Sequence, residues 1–241
     1  MWNPYVKPND KIKVGEVERL ARIVGDCIDN ADGLDVAARR KWFGHGYHAS
    51  TVERCIGIMQ DWKQTTPRGL CISYQTRFDD LASSPLKAKS KRLIGQTEVG
   101  TGRWNIPIRL GTNWLSHGTA SGDRLIALIH EMTHNVICTL DVYDRTAMDD
   151  YDDEVKAQVP SDFITEGKVY YGMKNVFDLA SKSSVAAVLN AENWAYFLAE
   201  ARGNGALLRF LSMQSERDRT AAGWGNYDMK TAYLINDGPL C

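Results

Sequence analysis

Long apolar runs are missing from this chain: nowhere in its 241 residues do roughly eighteen apolar side chains follow one another, so no membrane-spanning helix is expected. An excess of charge of one sign is missing as well, since 29 Lys+Arg stand against 30 Asp+Glu. The nearest thing to a basic cluster is the scattered group Lys87, Lys89, Lys91 and Arg92. That offers no broad electrostatic footprint for a phosphate backbone, and no nucleic-acid partner is expected. Cysteine is sparse: five residues, at 27, 55, 71, 138 and 241, contain no CxxC pair. No disulfide framework is required, and Cys27 and Cys55 fall on apolar positions of helical patterns, where a small buried hydrophobe belongs. The opening Met1-Trp2-Asn3-Pro4-Tyr5 has no basic region followed by an apolar one, so no classical signal peptide is expected. What is present, 44% hydrophobic and 24% charged residues, is the composition of a globular protein with ample core.

From Val14 to Ile28 the residues Val14, Val17, Leu20, Ala21, Val24, Cys27 and Ile28 recur at three- and four-residue steps, which predicts an amphipathic helix. After a polar stretch with Gly33 and a basic pair, Trp42-Phe43-Gly44 introduces a second helix through Val52, Cys55, Ile56, Met59 and Trp62. The segments Leu70–Tyr74 and Trp104–Leu110 are short and rich in branched or aromatic residues, and read as strands. Pro107 has no N–H to give a ladder, so the second strand is expected at a sheet edge or with a bulge. Residues 80–103 between them read as a loop or loose hairpin. A largely buried helix is predicted from about residue 121, where Ser121 and Asp123 precede Leu125, Ile126, Leu128, Ile129, Met132, Val136 and Ile137. The stretch 141–166 then carries nine acids and two bases and reads as an acidic insertion. Helical patterns return over about 169–182 and 187–202, and residues 215–241 look irregular. With no repeat and no dividing linker, residues 1–241 read as a single domain.

Inside the buried helix lies His130-Glu131-Met132-Thr133-His134, an HExxH sequence. At a four-residue step two imidazoles leave one face of a helix and can hold one zinc ion through neutral nitrogens. Glu131 between them stands beside the ion rather than on it, where a carboxylate can act as general base. With five His and ten Glu in the chain, chance placement would produce the motif in roughly half a percent of such sequences. Hydrolysis requires three protein ligands and an open fourth position. By spacing alone the third ligand is open among Asp141, Asp144, Glu166, Asp178 and Glu192.

The run Cys138-Thr139-Leu140-Asp141 after HExxH, Tyr171-Gly172 before a later helix, and Asn190-Ala191-Glu192-Asn193-Trp194-Ala195-Tyr196-Phe197 beyond it resemble the deuterolysin and lysine-specific metalloendopeptidase family, the aspzincins. Trp42-Phe43-Gly44 and the stretch from Arg109 to Asp123 are similar to family segments too, so the resemblance spans roughly residues 14–200. It implies a divergent, bacterial-type member with a zincin-like α+β fold: mainly helical, with a small mixed sheet and an HExxH active-site helix. It further implies Zn2+ held by His130, His134 and Asp141, with Glu131 as general base. A tyrosine for the oxyanion is also implied; Tyr171 fits the family order, with Tyr143 and Tyr170 as rivals. Two departures stand out. Cys138 occupies the first glycine of the family's GTxDxxYG element, and the Asp and Tyr-Gly halves of that element are separated by the acidic insertion.

The expected activity is zinc metalloendopeptidase, a hydrolase whose partner is a peptide or protein substrate. Carboxylates of the acidic insertion beside a cleft would favour Lys or Arg in that substrate. A zinc hydrolase of another ligand class acting on cell-wall peptides, and a degenerate zinc-binding interaction module, are the competing readings. The family is largely secreted, so the absent signal suggests an effector or toxin exported by a signal-independent bacterial system, otherwise a cytoplasmic protein. A toxin would bring an inhibitor or immunity protein as a second partner.

Overall fold

The computed structural model describes residues 5–6, 14–65, 71–74, 95–96, 108–110, 121–142 and 173–203. Its helices are α1 (Val14–Asp29), α2 (Val36–Phe43), α3 (Ala49–Thr65), α4 (Ser121–Ile137), α5 (Met173–Lys182), α6 (Ser184–Leu189) and α7 (Ala191–Ala201). Four short strands, β1 (Tyr5–Val6), β2 (Cys71–Tyr74), β3 (Gly95–Gln96) and β4 (Ile108–Leu110), form one mixed sheet.

Helix α4 is the axis of the molecule, because α1, α3 and α7 all pack on it. The reason is its sequence: Leu125, Leu128, Ile129 and Met132 are fully buried, and even His130, Glu131, Thr133, His134 and Asn135 are shielded from solvent. A helix apolar over most of its girth has to be surrounded. The α1 stripe Val17, Leu20, Ala21, Val24, Cys27 and Ile28 covers one side of this core, as its periodicity predicts. Arg124 of α4 reaches Glu16 of α1 at 2.6 Å and ties the first turns of the two helices together.

The polar stretch before Trp42 is not a connection but the helix α2. Asp35 caps it, accepting from the Ala38 N–H at 2.8 Å, and residues 37–41 are good helix formers. Only its last two residues are buried, so it carries no apolar periodicity to read. Those two anchor it. Trp42 stacks on Phe177 and Tyr196 with centroids 4.9 and 5.5 Å away, and Phe43 meets Trp194 and Phe197 at 4.7 and 5.0 Å. The Trp42 indole N–H donates to the Glu200 carboxylate of α7. Gly44 ends α2 at φ 81°, and a Cβ there would lie 2.2 Å from the Ala180 carbonyl oxygen, so only glycine fits.

The sheet order is β1-β2-β4-β3, with β1, β2 and β4 parallel and β3 antiparallel to β4. The strand expected at an edge is therefore an interior one. Its ladder runs only over Ile108–Leu110, past Pro107, so the proline's missing N–H does not bar a neighbour on either side. The edges of the described sheet are β1 and β3, the latter within the segment read as a loop or loose hairpin. The helix expected over 187–202 is likewise divided: Asn190 is extended, at φ −82° and ψ 121°, and separates α6 from α7. The irregular end over 215–241 and most of the acidic insertion lie outside the described residues.

Candidate metal centre

Two turns of α4 place His130 and His134 on one face, with their Nε2 atoms 3.0 Å apart. The chain then leaves the helix through Cys138, which adopts φ 57°. A left-handed residue is a common way to end a helix and is usually glycine, because a Cβ costs roughly 1–2 kcal/mol there. The departure at Cys138 thus keeps the turn geometry for which glycine is favoured. The turn reverses the chain so that Asp141 returns to the imidazoles: its Oδ1 is 2.9 Å from His130 Nε2 and 3.5 Å from His134 Nε2.

The returning segment is held from the other side. Leu140 pairs in parallel with Asn190, with Leu140 N–H donating to the Leu189 carbonyl at 2.8 Å and Ala191 N–H to the Leu140 carbonyl at 2.9 Å. Val142 N–H donates to the Asn190 side chain at 3.2 Å, and Asn190 Nδ2 donates to Asn193 Oδ1 at 2.7 Å. Asn193 Nδ2 in turn satisfies the carbonyls of Trp42 and Val176. Leu140 and Val142 are buried with Leu179, Ala180, Ala186 and Ala187 in a small apolar cluster of their own. Asp141, between two such anchored residues, has little freedom to leave.

The outer nitrogens of both rings are occupied by acceptors. His134 Nδ1 is 2.7 Å from the Thr139 carbonyl, and His130 Nδ1 is 2.9 Å from Glu192 Oε2. A carbonyl or a carboxylate can only accept, so each Nδ1 carries the proton and, in the neutral ring, each Nε2 turns a lone pair inward. Asp141 Oδ1 is buried and accepts no hydrogen bond. With both rings neutral, three electron-pair donors thus converge on one point, an arrangement that a cation would satisfy.

A zinc ion fits the donor set. Ligand atoms about 2.0–2.1 Å from a tetrahedral centre lie about 3.3 Å from one another, close to the 3.0, 2.9 and 3.5 Å found here. His130, His134 and Asp141 are the one such group of potential ligands among the described residues. Two imidazoles and a carboxylate suit zinc better than magnesium or calcium, which prefer oxygen throughout. Three protein ligands leave a fourth position for water or substrate, the pattern of a catalytic rather than a structural site.

No family model matches the sequence, and no characterised protein matches it. Among solved structures, the chain is similar to a zinc peptidase from Grifola frondosa. The two are 16% identical with a TM-score of 0.47, over 77% of this chain and 90% of that one.

Without metal, the same proximity moves protons. Burial opposes protonation of His130, but the Asp141 and Glu192 carboxylates outweigh it and raise its pKa well above the usual 6.5. Burial likewise opposes ionisation of Asp141, and the two imidazoles override it, holding its carboxyl well below the usual carboxylate range.

Of the residues weighed from sequence, His130, His134 and Asp141 are brought together, and Glu131 sits next to them on α4, 8% exposed. Glu192 is not part of the convergent group. It sits behind His130, on the nitrogen that faces away from Asp141. Asp178 is also elsewhere, 3.7 Å from Lys182 on α5. Asp144, Glu166, Tyr143, Tyr170 and Tyr171 lie outside the described residues. Thr139 went unnoticed as a site residue. Its carbonyl orients His134, while its hydroxyl donates to Thr133 Oγ1 at 2.9 Å, which donates to the His130 carbonyl. The sequence signal for it was its place in the Cys138-Thr139-Leu140-Asp141 run, between the helix end and Asp141.

Proposed function

We propose that the protein is a zinc-dependent metalloendopeptidase with an aspzincin-type ligand set, His130, His134 and Asp141. The observation that carries this reading is the convergence of two imidazole lone pairs and one unsatisfied carboxylate oxygen at the helix that carries Glu131. Zinc, when bound, supplies Lewis acidity, lowering the pKa of a water toward about 7 and polarising a carbonyl. Glu131 follows His130 on α4 and is shielded from bulk water, which suits a general base. It takes a proton from the attacking water as the new C–O bond forms, and returns it to the departing amine nitrogen as the C–N bond breaks. Glu192 and the Thr139 carbonyl hold the two imidazoles in the tautomer that this chemistry requires. Tyr171 is carried as the donor to the developing oxyanion.

A substrate in extended conformation would add to the sheet at β3, since that strand, unlike β4, is a terminal one of the described sheet and lies against α4. The eight acids of the 141–166 segment other than Asp141 support a preference for Lys or Arg in that substrate. The proposed setting is an exported effector or toxin.

Zinc analysis of the wild type and Asp141→Ala, with casein cleavage by the wild type and Glu131→Gln, tests the assignment. One zinc per chain is expected, lost or weakened in Asp141→Ala, and Glu131→Gln should keep its zinc while losing nearly all cleavage. Full zinc retention by Asp141→Ala, or undiminished cleavage by Glu131→Gln, would sink it.

A further inference from the structure

Away from the metal centre, a cleft of about 320 Å³ opens between the end of α2, the loop that follows it, and the junction of α5 and α6. Its wall carries Arg40, Lys41, His45 and Lys182, and none of the ten residues lining it is acidic. In a chain whose acids and bases nearly balance, this is a local excess of one sign.

Two of these cations have carboxylate partners. Lys41 Nζ lies 2.8 Å from Glu200, but Glu200 also receives the Trp42 indole N–H. Lys182 pairs with Asp178, one turn earlier on α5, at 3.7 Å. Arg40 makes no ion pair among the described residues. Ser184 Oγ accepts the Gly46 N–H at 3.0 Å, which leaves its hydroxyl proton to give. The cleft is therefore rich in donors and positive charge, with Phe177 and Ala180 adding an apolar floor. Its shape depends on Gly44, where any Cβ would collide with the Ala180 carbonyl and with Ser184 Oγ.

We propose that this cleft binds a small organic oxyanion, a molecule whose phosphate or carboxylate group meets Arg40, Lys182 and the Ser184 hydroxyl while its apolar body rests on Phe177. Guanidinium and ammonium groups make their strongest hydrogen bonds to such oxygens. The volume lies at the lower end of the range for small-molecule sites, roughly 300–1,000 Å³, and exceeds what a bare inorganic ion needs. The inference is independent of the peptidase reading, because no residue of the metal centre lines the cleft.

Phenyl phosphate and benzoate, titrated separately into zinc-loaded protein and followed by amide chemical shifts, test it and separate the two sources of negative charge. Sodium chloride at matched ionic strength is the control. Saturable shifts at residues 40–46 and 180–184 are expected with at least one probe, with the tighter probe naming the group. Arg40→Gln, a change on an exposed helical surface, should weaken that binding about tenfold or more, as should Lys182→Gln, with zinc content unchanged in both. Shifts no larger than those from chloride, or equal affinity in the wild type and both variants, would overturn the proposal.

Discussion

Glu192 shows how much of the candidate metal centre is decided behind its ligands. Its carboxylate accepts from His130 Nδ1 at 2.9 Å, and that contact turns the opposite nitrogen toward Asp141 and His134. Partners of this kind are typically worth about 10–100-fold in metal affinity. Glu192→Ala is therefore expected to weaken zinc binding by about that factor, measured by competition with a chromophoric chelator, and Glu192→Gln, which keeps an acceptor oxygen, by less. Unchanged affinity in Glu192→Ala would show that His130 holds its orientation by packing alone. At this scale the chain is only half legible as sequence. HExxH names two candidate ligands and a candidate base because a helix fixes their mutual geometry in advance. Asp141 and Glu192 depend on a turn and on tertiary return, and spacing left both as candidate ligands; folding brings one to the inner nitrogens of both imidazoles and the other to the back of one.

Among the elements, the pairing of Leu140 with Asn190 decides where Asp141 sits. Asn190 and Asn193 form a buried amide relay from Val142 N–H to the carbonyls of Trp42 and Val176. A buried acceptor left without its donor costs about 1–3 kcal/mol. Asn193→Ala should lower unfolding stability by about that amount or more, since two carbonyls lose their partner. A urea midpoint indistinguishable from wild type would refute this role. Helices α1 and α4 were readable because their apolar residues repeat along one face. Helix α2 was not, since it is anchored by only two aromatic residues at its end. The break at Asn190 escaped for a related reason: the apolar pattern runs through it, and what stops the helix is a backbone partner, Leu140, fifty positions earlier.

For the molecule as a whole, the centre joins α4 to a segment braced by α6 and α7, so metal occupancy and folding are linked. The sign of the pH dependence follows from the two shifted groups. In metal-free protein, His130 has a folded pKa above its usual 6.5, so the stability it contributes is complete below 6.5 and is lost as pH rises through the raised value. Asp141 has a folded pKa below its usual 3.8, so its contribution is present above 3.8 and is lost as pH falls through the lowered value. Zinc requires a neutral His130, so metal and proton compete, and the metal's contribution grows as pH rises. The gap in Tm between zinc-loaded and chelated protein should therefore widen from about pH 6 to about pH 8.5. A gap that narrows over that range would contradict His130 as the place of competition. The mixed, mainly helical architecture was within reach of the sequence; the strand order was not, because Pro107 marks one residue and says nothing of where pairing resumes.

The bridge between Leu140 and Asn190 also sets an order in time. A chain emerging from the ribosome displays HExxH long before it contains Asn190, Glu192 or Asn193, and until those residues arrive Asp141 has nothing to register against. The nascent polypeptide therefore lacks a complete candidate centre, which is assembled only when α7 closes over the histidines.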